Sequence, residues 1–146
     1  MNPISITVTG RLGDDPRSFT TRDGTHGVEL RLALEVPSRA PGGDGVTRWV
    51  KVTAFGLLAE RTAASVGKGD RVTVLSDDLM AEAWAAKDGG EPRARVSLRA
   101  REIAASMAFD TVHTDYAQRK AARQAAANGG QSDQQADAQV AEATTS

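Results

Sequence analysis

Trp49, Lys51 and Phe55 share one face of the stretch Thr47-Arg48-Trp49-Val50-Lys51-Val52-Thr53-Ala54-Phe55-Gly56. The stretch alternates as a strand with two distinct faces does. Val50, Val52 and Ala54 form a small apolar face suited to a core. The opposite face holds two of the chain's six aromatic side chains with a lysine between them. At about 3.3 Å per residue the two rings stand roughly 20 Å apart. Flat rings at that separation can stack on bases of an extended single strand while a lysine meets phosphate. The bland alternative is a strand between two packed layers, with both rings in core.

A second spacing of the same kind lies near residue 100. In Arg93-Ala94-Arg95-Val96-Ser97-Leu98-Arg99-Ala100-Arg101, parity places Ala94, Val96, Leu98 and Ala100 together. Arg93, Arg95, Arg99 and Arg101 then form a row with Ser97 on the other face. An edge strand uses charge to resist pairing, but a run of one sign without acids is less expected for that. Phosphate contact is the functional alternative. Trp84 lies on the strand just before this one, across the turn Lys87-Asp88-Gly89-Gly90-Glu91-Pro92.

Other chemistries lack their residues. Acid–base catalysis needs carboxylates or histidines converging in a cleft. The pairs Asp14-Asp15 and Asp77-Asp78 are adjacent, so on a strand they point apart. With no cysteine and only His26 and His113, no metal-ligand spacing exists. Gly67-Lys68-Gly69 lacks the spaced glycine and following hydroxyl of a phosphate loop. No enzyme, cofactor or metal is expected. Residues 1–110 hold fifteen basic and fifteen acidic side chains, so a polyanion is held only if the positive charge gathers on one face. There is no apolar leader and no stretch long enough for a membrane span, so a cytoplasmic protein without membrane contact is expected.

The elements that position these residues follow from periodicity. Ile4 to Leu12 alternates as a first strand, and Gly13-Asp14-Asp15-Pro16 is a turn cluster. Ser18–Thr21 is a short extended piece before the turn Arg22-Asp23-Gly24. Val28, Leu30, Leu32, Leu34 and Val36 alternate with Glu29, Arg31, Ala33 and Glu35 as the second strand. Pro37 to Val46 is a loop, and the Trp49 stretch is the third strand. Leu57 to Val66 suits a short helix stopped by Gly67 and Gly69. Arg71 to Ala86 is a fourth strand interrupted at Ser76-Asp77-Asp78 by a bulge, and Arg93 to Arg101 is the fifth. Three strands, a helix and two strands make an all-β, five-stranded OB-fold barrel with its helix between strands three and four. That fold binds oligonucleotides on its strand 2–3 face and through loops at one end, where Trp49, Phe55 and Trp84 fall. This coincidence outweighs the core reading of the Trp49 face. Residues 111–146 are rich in Ala, Gln, Asp, Ser and Thr and make a low-complexity tail expected to be disordered, with a marginal helix over Tyr116–Ala127.

The same stretches resemble the bacterial single-stranded DNA-binding proteins, whose OB-folds stack bases on aromatic side chains. The resemblance runs through Val8-Thr9-Gly10-Arg11-Leu12-Gly13-Asp14-Asp15-Pro16, Leu32-Ala33-Leu34, Trp49 to Glu60, Lys68-Gly69-Asp70-Arg71-Val72, and Leu79 to Trp84 with Lys87-Asp88-Gly89. It implies sequence-independent binding of single-stranded DNA in replication, recombination or repair, by a homotetramer or dimer associated with the nucleoid. By motif match it implies base stacking on Trp49, Phe55 and Trp84. An OB-fold module for protein contact or RNA, of the primosome kind, is the alternative.

Four departures from the family pattern stand out. Pro37-Ser38-Arg39-Ala40 replaces a region that often carries an aromatic, and Ala81-Glu82-Ala83 replaces basic residues before the second tryptophan. Ser76-Asp77-Asp78 is one residue longer than the pattern. The end, Ala141-Glu142-Ala143-Thr144-Thr145-Ser146, lacks the acidic tip with proline and phenylalanine. The resemblance is therefore to a paralogue without the tip, and tip-dependent recruitment of replication enzymes is not expected.

Overall fold

A computed structural model of the chain describes residues 3–143, with side chains described over residues 3–129. Its elements are β1 (Ile6–Leu12), β2 (Arg17–Thr20), β3 (His26–Val36), β4 (Val46–Phe55), α1 (Leu57–Ser65), β5 (Arg71–Trp84), β6 (Arg93–Ala105) and α2 (Tyr116–Ala143). Residues up to Thr111 form one compact unit and those from Val112 a second.

In the first unit the strand order is β1-β5-β6-β4-β3-β2, and β1 also pairs with β3. The ring β1-β5-β6-β4-β3 is therefore closed, although β1 meets β3 at only Arg11 and Leu12. It is the five-stranded barrel with the helix α1 between its third and fourth strands. The short extended piece is a sixth strand, β2, which hangs on β3 outside the ring from Arg17↔Glu29 to Thr20↔His26. Closure happens at Gly10. There β1 still faces Val72 of β5, and one residue later Arg11 lies opposite both Arg71 and Ala33. A Cβ on Gly10 would stand 2.5 Å from the Ala33 carbonyl oxygen, so only glycine lets the two strands close on each other.

The alternation read from the sequence decides what fills the barrel. Val28, Leu30 and Leu32 of β3, Val50, Val52 and Ala54 of β4, Val72 and Val74 of β5, and Leu98 and Ala100 of β6 are all buried. Leu12 and Ala59 complete the core. Ala94 and Val96 share the parity of Leu98 yet are exposed, because this half of the β5–β6 hairpin extends past the barrel as an arm. The helix α1 lays Ala59 and Thr62 on the barrel, and the Thr62 hydroxyl donates to the Leu58 carbonyl at 2.7 Å. It ends on Val66 in an extended conformation, not on a glycine; Gly69, at φ 92°, makes the turn into β5.

The expected bulge is present and involves both strands. Pairing shifts between Leu75 and Ser76 and again between Ser76 and Asp78, so Arg101 and Asp77 are each left out of the ladder. Ser76 is 1 % exposed. Its hydroxyl lies 2.7 Å from the carbonyls of Asp78 and Arg99, donating to one at a time, and accepts from the Asp78 N–H at 3.1 Å. β6 runs to Ala105, four residues beyond the expected end. Past it, Asp110 reaches Arg11 at 3.1 Å and Phe109 lies under the Arg71 guanidinium at 4.8 Å.

In the second unit α2 covers the stretch expected to hold a marginal helix and continues to Ala143. Its described side chains are all exposed, and isolated helices are marginal in water. The chain end Ala141–Ser146, on which the missing tip was read, lies outside the residues whose side chains are described. Among the described residues no helix is long and apolar enough to cross a membrane.

Replacing Ser76 by alanine removes the one hydroxyl that serves the bulge and strands buried backbone groups. The expected loss is about 1–3 kcal/mol of folding stability, read by urea unfolding. An unchanged midpoint would show that water replaces the hydroxyl.

Candidate nucleic-acid interface

The side chains that the barrel core does not claim point outward, and strand pairing fixes which of them are neighbours. β3 and β4 set Gly27 opposite Phe55, Glu29 opposite Thr53, Arg31 opposite Lys51 and Ala33 opposite Trp49. β4 and β6 run parallel, with Lys51 beside Ser97 and Thr53 beside Arg99. β6 and β5 set Ser97 opposite Met80, Arg95 opposite Glu82 and Arg93 opposite Trp84. One outer face therefore runs from β2 through β3, β4 and β6 to β5. It brings together Trp49, Lys51, Phe55, Trp84, Arg93, Arg95 and Arg99.

Arg101 is the exception among the expected residues. It falls out of the ladder at the bulge, and inward parity changes from Leu98 and Ala100 to Ile103 across it. The row of arginines thus stops at Arg99. The parity rule assumed an unbroken strand, and the bulge was legible on β5 but not on β6.

Three rings on this face carry a guanidinium. Arg31 lies 3.9 Å from the centroid of Trp49, Arg99 4.8 Å from that of Phe55, and Arg95 5.4 Å from that of Trp84. Such contacts contribute about 0.5–1 kcal/mol at exposed sites, enough to orient a ring and weak enough to yield to a ligand. The tryptophans remain open, with Trp49 45 % and Trp84 43 % exposed. Trp49 is also seated from below, because a Cβ on Gly13 would stand 2.5 Å from its ring. Phe55 is half-buried and meets Phe19 edge-on, centroids 5.9 Å apart and planes at 86°. Phe19 sits over Gly27, where a Cβ would fall 2.4 Å from the ring. Arg31 and Phe19 were not among the residues singled out from sequence. Arg31 was on the correct parity, whereas Phe19 lay in a piece too short to show any.

The cations of the face are paired with carboxylates of the same face. Glu29 meets Lys51 at 3.2 Å and Arg17 at 3.3 Å, and Asp14 lies 3.6 Å from Arg31. Glu82, in the stretch where the family carries basic residues, accepts from Arg95 at 2.7 Å. The hydrogen bond and charge of Arg95, with a smaller contribution from Lys51, hold the Glu82 carboxyl below the usual carboxylate range. A lowered pKa means that this pair persists through the ordinary carboxylate range and is lost only as pH falls below it. Being exposed, these pairs orient side chains more than they stabilise the fold. The carboxylates of the Asp14-Asp15 pair turn to different partners: Asp15 accepts from the Lys68 N–H at 2.8 Å while Asp14 faces Arg31.

A face of open rings, guanidinium groups and exchangeable ion pairs can stack flat ligands and contact a chain of anions. Comparison with known proteins agrees with this chemistry. Residues 3–106 match the model of the single-strand binding protein family. Two curated relatives, each named single-stranded DNA-binding protein 2, come from Tropheryma whipplei strains Twist and TW08/27. Each is 40 % identical over 73 residues, which is 47 % of this chain and 49 % of the relative. The match thus spans about half the length of these relatives. Among solved structures, the small single-stranded DNA-binding protein from Streptomyces coelicolor superposes with a TM-score of 0.62 at 26 % identity, covering 75 % of this chain and 100 % of that one.

The seating of Trp49 is open to a direct check. With Trp84→Phe as background, Gly13→Val drives a side chain into the Trp49 ring and should shift its emission to longer wavelength, with far-ultraviolet dichroism unchanged. An unmoved emission maximum would show that Gly13 does not set the ring.

Proposed function

The chain belongs to the single-strand binding protein family, and from that membership we propose that it binds single-stranded DNA without sequence code, by stacking bases on Trp49, Phe55 and Trp84. The observation that carries this reading is the placement of all three rings on one outer face. Lys51, Arg93, Arg95 and Arg99 lie on that same face and supply the phosphate contacts, with Arg101 at its margin. Phe19 extends the Phe55 platform. The protein binds and protects a strand, and no catalytic step is assigned to it. Replication, recombination and repair, at the nucleoid, are the processes in which such a strand is exposed. Stacking does not read the 2′-hydroxyl, so RNA is the comparison the experiment must include.

The proposal includes self-association into a tetramer or dimer. One observation supports it: Leu79, Ala81, Ala83, Ala94 and Val96 share the face of the arm opposite Trp84, and Leu79 is 50 % exposed there. Apolar surface of this kind marks association sites. Light scattering at micromolar concentration should give a mass two or four times 15.4 kDa; the monomer mass alone refutes assembly.

Titration of tryptophan fluorescence with dT and rU oligomers tests binding. Quenching that saturates is expected, and Trp49→Ala or Trp84→Ala should each weaken dT binding by about 1–3 kcal/mol while the barrel stays folded. No change of fluorescence with either polymer would end the reading. The salt dependence tests the arginines: replacing Arg93 and Arg99 by serine should lower the slope of log K against log salt by about one to one and a half, near 0.7 per phosphate contact. A slope equal to that of the unaltered protein would remove them from the interface.

A further inference from the structure

Between β3, β4 and β6 the outer face is indented by a cavity of about 180 Å³, lined by Glu29, Leu30, Arg31, Trp49, Val50, Lys51 and Arg95. It is smaller than the roughly 300–1,000 Å³ of pockets that enclose drug-sized ligands, so it suits one flat ring with the rest of its chain outside. Trp49 supplies an aromatic wall, and Arg31, Lys51 and Arg95 supply cations at its margin. Glu29 is the odd member. A carboxylate on a face meant for phosphates repels them and has to be accounted for.

Part of its role is visible. Glu29 uses Oε2 for both of its partners, Lys51 at 3.2 Å and Arg17 at 3.3 Å. Its Oε1 has no partner among the described residues, and its side chain is only 27 % exposed. A carboxylate offers acceptors and no donor. A pure acceptor beside an aromatic wall distinguishes bases. Cytosine presents an amino donor at N4, and adenine and guanine present amino donors too. Thymine offers one ring N–H flanked by two carbonyls, which a carboxylate repels.

We propose that Glu29 and Trp49 form a single base-reading seat in this cavity, which favours an amino-bearing base over thymine at one position of the bound strand. The inference rests on the single-stranded DNA reading above and adds to it one point of readout in an otherwise stacking interface. Lys51 positions Glu29 and accompanies the phosphate beside the seat, so its charge serves both groups. The preference is local.

The test compares dC and dT oligomers of equal length, read by tryptophan fluorescence with the full chain at fixed salt. Stacking and backbone flexibility give each polymer its own baseline, so the quantity to follow is the dC-to-dT affinity ratio in the unaltered protein and in Glu29→Gln. A glutamine keeps the size and can both donate and accept. The ratio should fall about threefold or more in the variant, through weaker dC and stronger dT binding, within the discrimination that one base contact provides. Equal change on both polymers, leaving the ratio intact, would overturn the seat and leave Glu29 as a holder of Lys51 only. Urea unfolding of the variant separates a folding defect, which lowers both affinities together, from loss of readout. If neither polymer binds the unaltered protein, the single-stranded DNA reading fails first, and the two failures are told apart.

Discussion

The outer face exists because β4 and β6 run side by side in parallel over Lys51–Thr53 and Ser97–Arg99. That short register joins the β3–β4 hairpin directly to the β5–β6 hairpin. Without it, Trp49 and Phe55 would lie on one hairpin and Trp84 with its arginines on another. Parallel pairing needs a crossover, and α1 with β5 provides it. The barrel core secures the register, because a slip by one residue would expose Val52 and Leu98 and bury Lys51. Burial of small apolar side chains on the inside thus determines which rings and charges meet on the outside.

The charge pattern of that face explains how a neutral domain can be suited to a polyanion. Glu29, Asp14 and Glu82 hold Lys51, Arg31 and Arg95 in the absence of a ligand. A phosphate that arrives exchanges one anion for another on the same cation. The gain per contact is smaller than for a bare arginine, and the attraction at long range is weaker, since opposite charges a few ångströms apart cancel beyond a Debye length of roughly 8–10 Å. Under the proposed function contact geometry therefore matters more here than net charge, and the same guanidinium groups, which lie over the rings, are the ones a base or phosphate would draw off.

Much of this was legible in the sequence because strands with one buried face write their orientation into alternate residues. Val28 to Leu34, Val50 to Ala54 and Leu98 with Ala100 all lie as their parity requires. What the sequence left unread has local causes. Phe19 sits in a four-residue strand, too short for alternation to register, and its partner Gly27 reveals its purpose only once the ring is seen above it. Arg101 was placed with its neighbours because a bulge on β6 has no signature among Arg and Ala residues. Parity places Ala94 and Val96 on the face of Leu98 and Ala100, and they would be buried if the barrel extended that far. Periodicity reports which face a side chain takes, not whether anything covers that face.

The paired irregularity at Ser76 has a consequence for how this chain can change. Asp77 is an extra residue on β5 and Arg101 an extra residue on β6, and the ladder has the same offset on either side of them. The two extras cancel in pairing, yet each turns its own strand over, so that Leu79 takes the same side of the sheet as Leu98. Loss of one without the other would leave the arm with its two strands disagreeing about which side is which, setting Trp84 against the apolar side or the arginines against the core. Single-residue insertions and deletions in these strands are therefore coupled events. A length change on β5 survives only in company with one on β6, and lineages should gain or lose the two together.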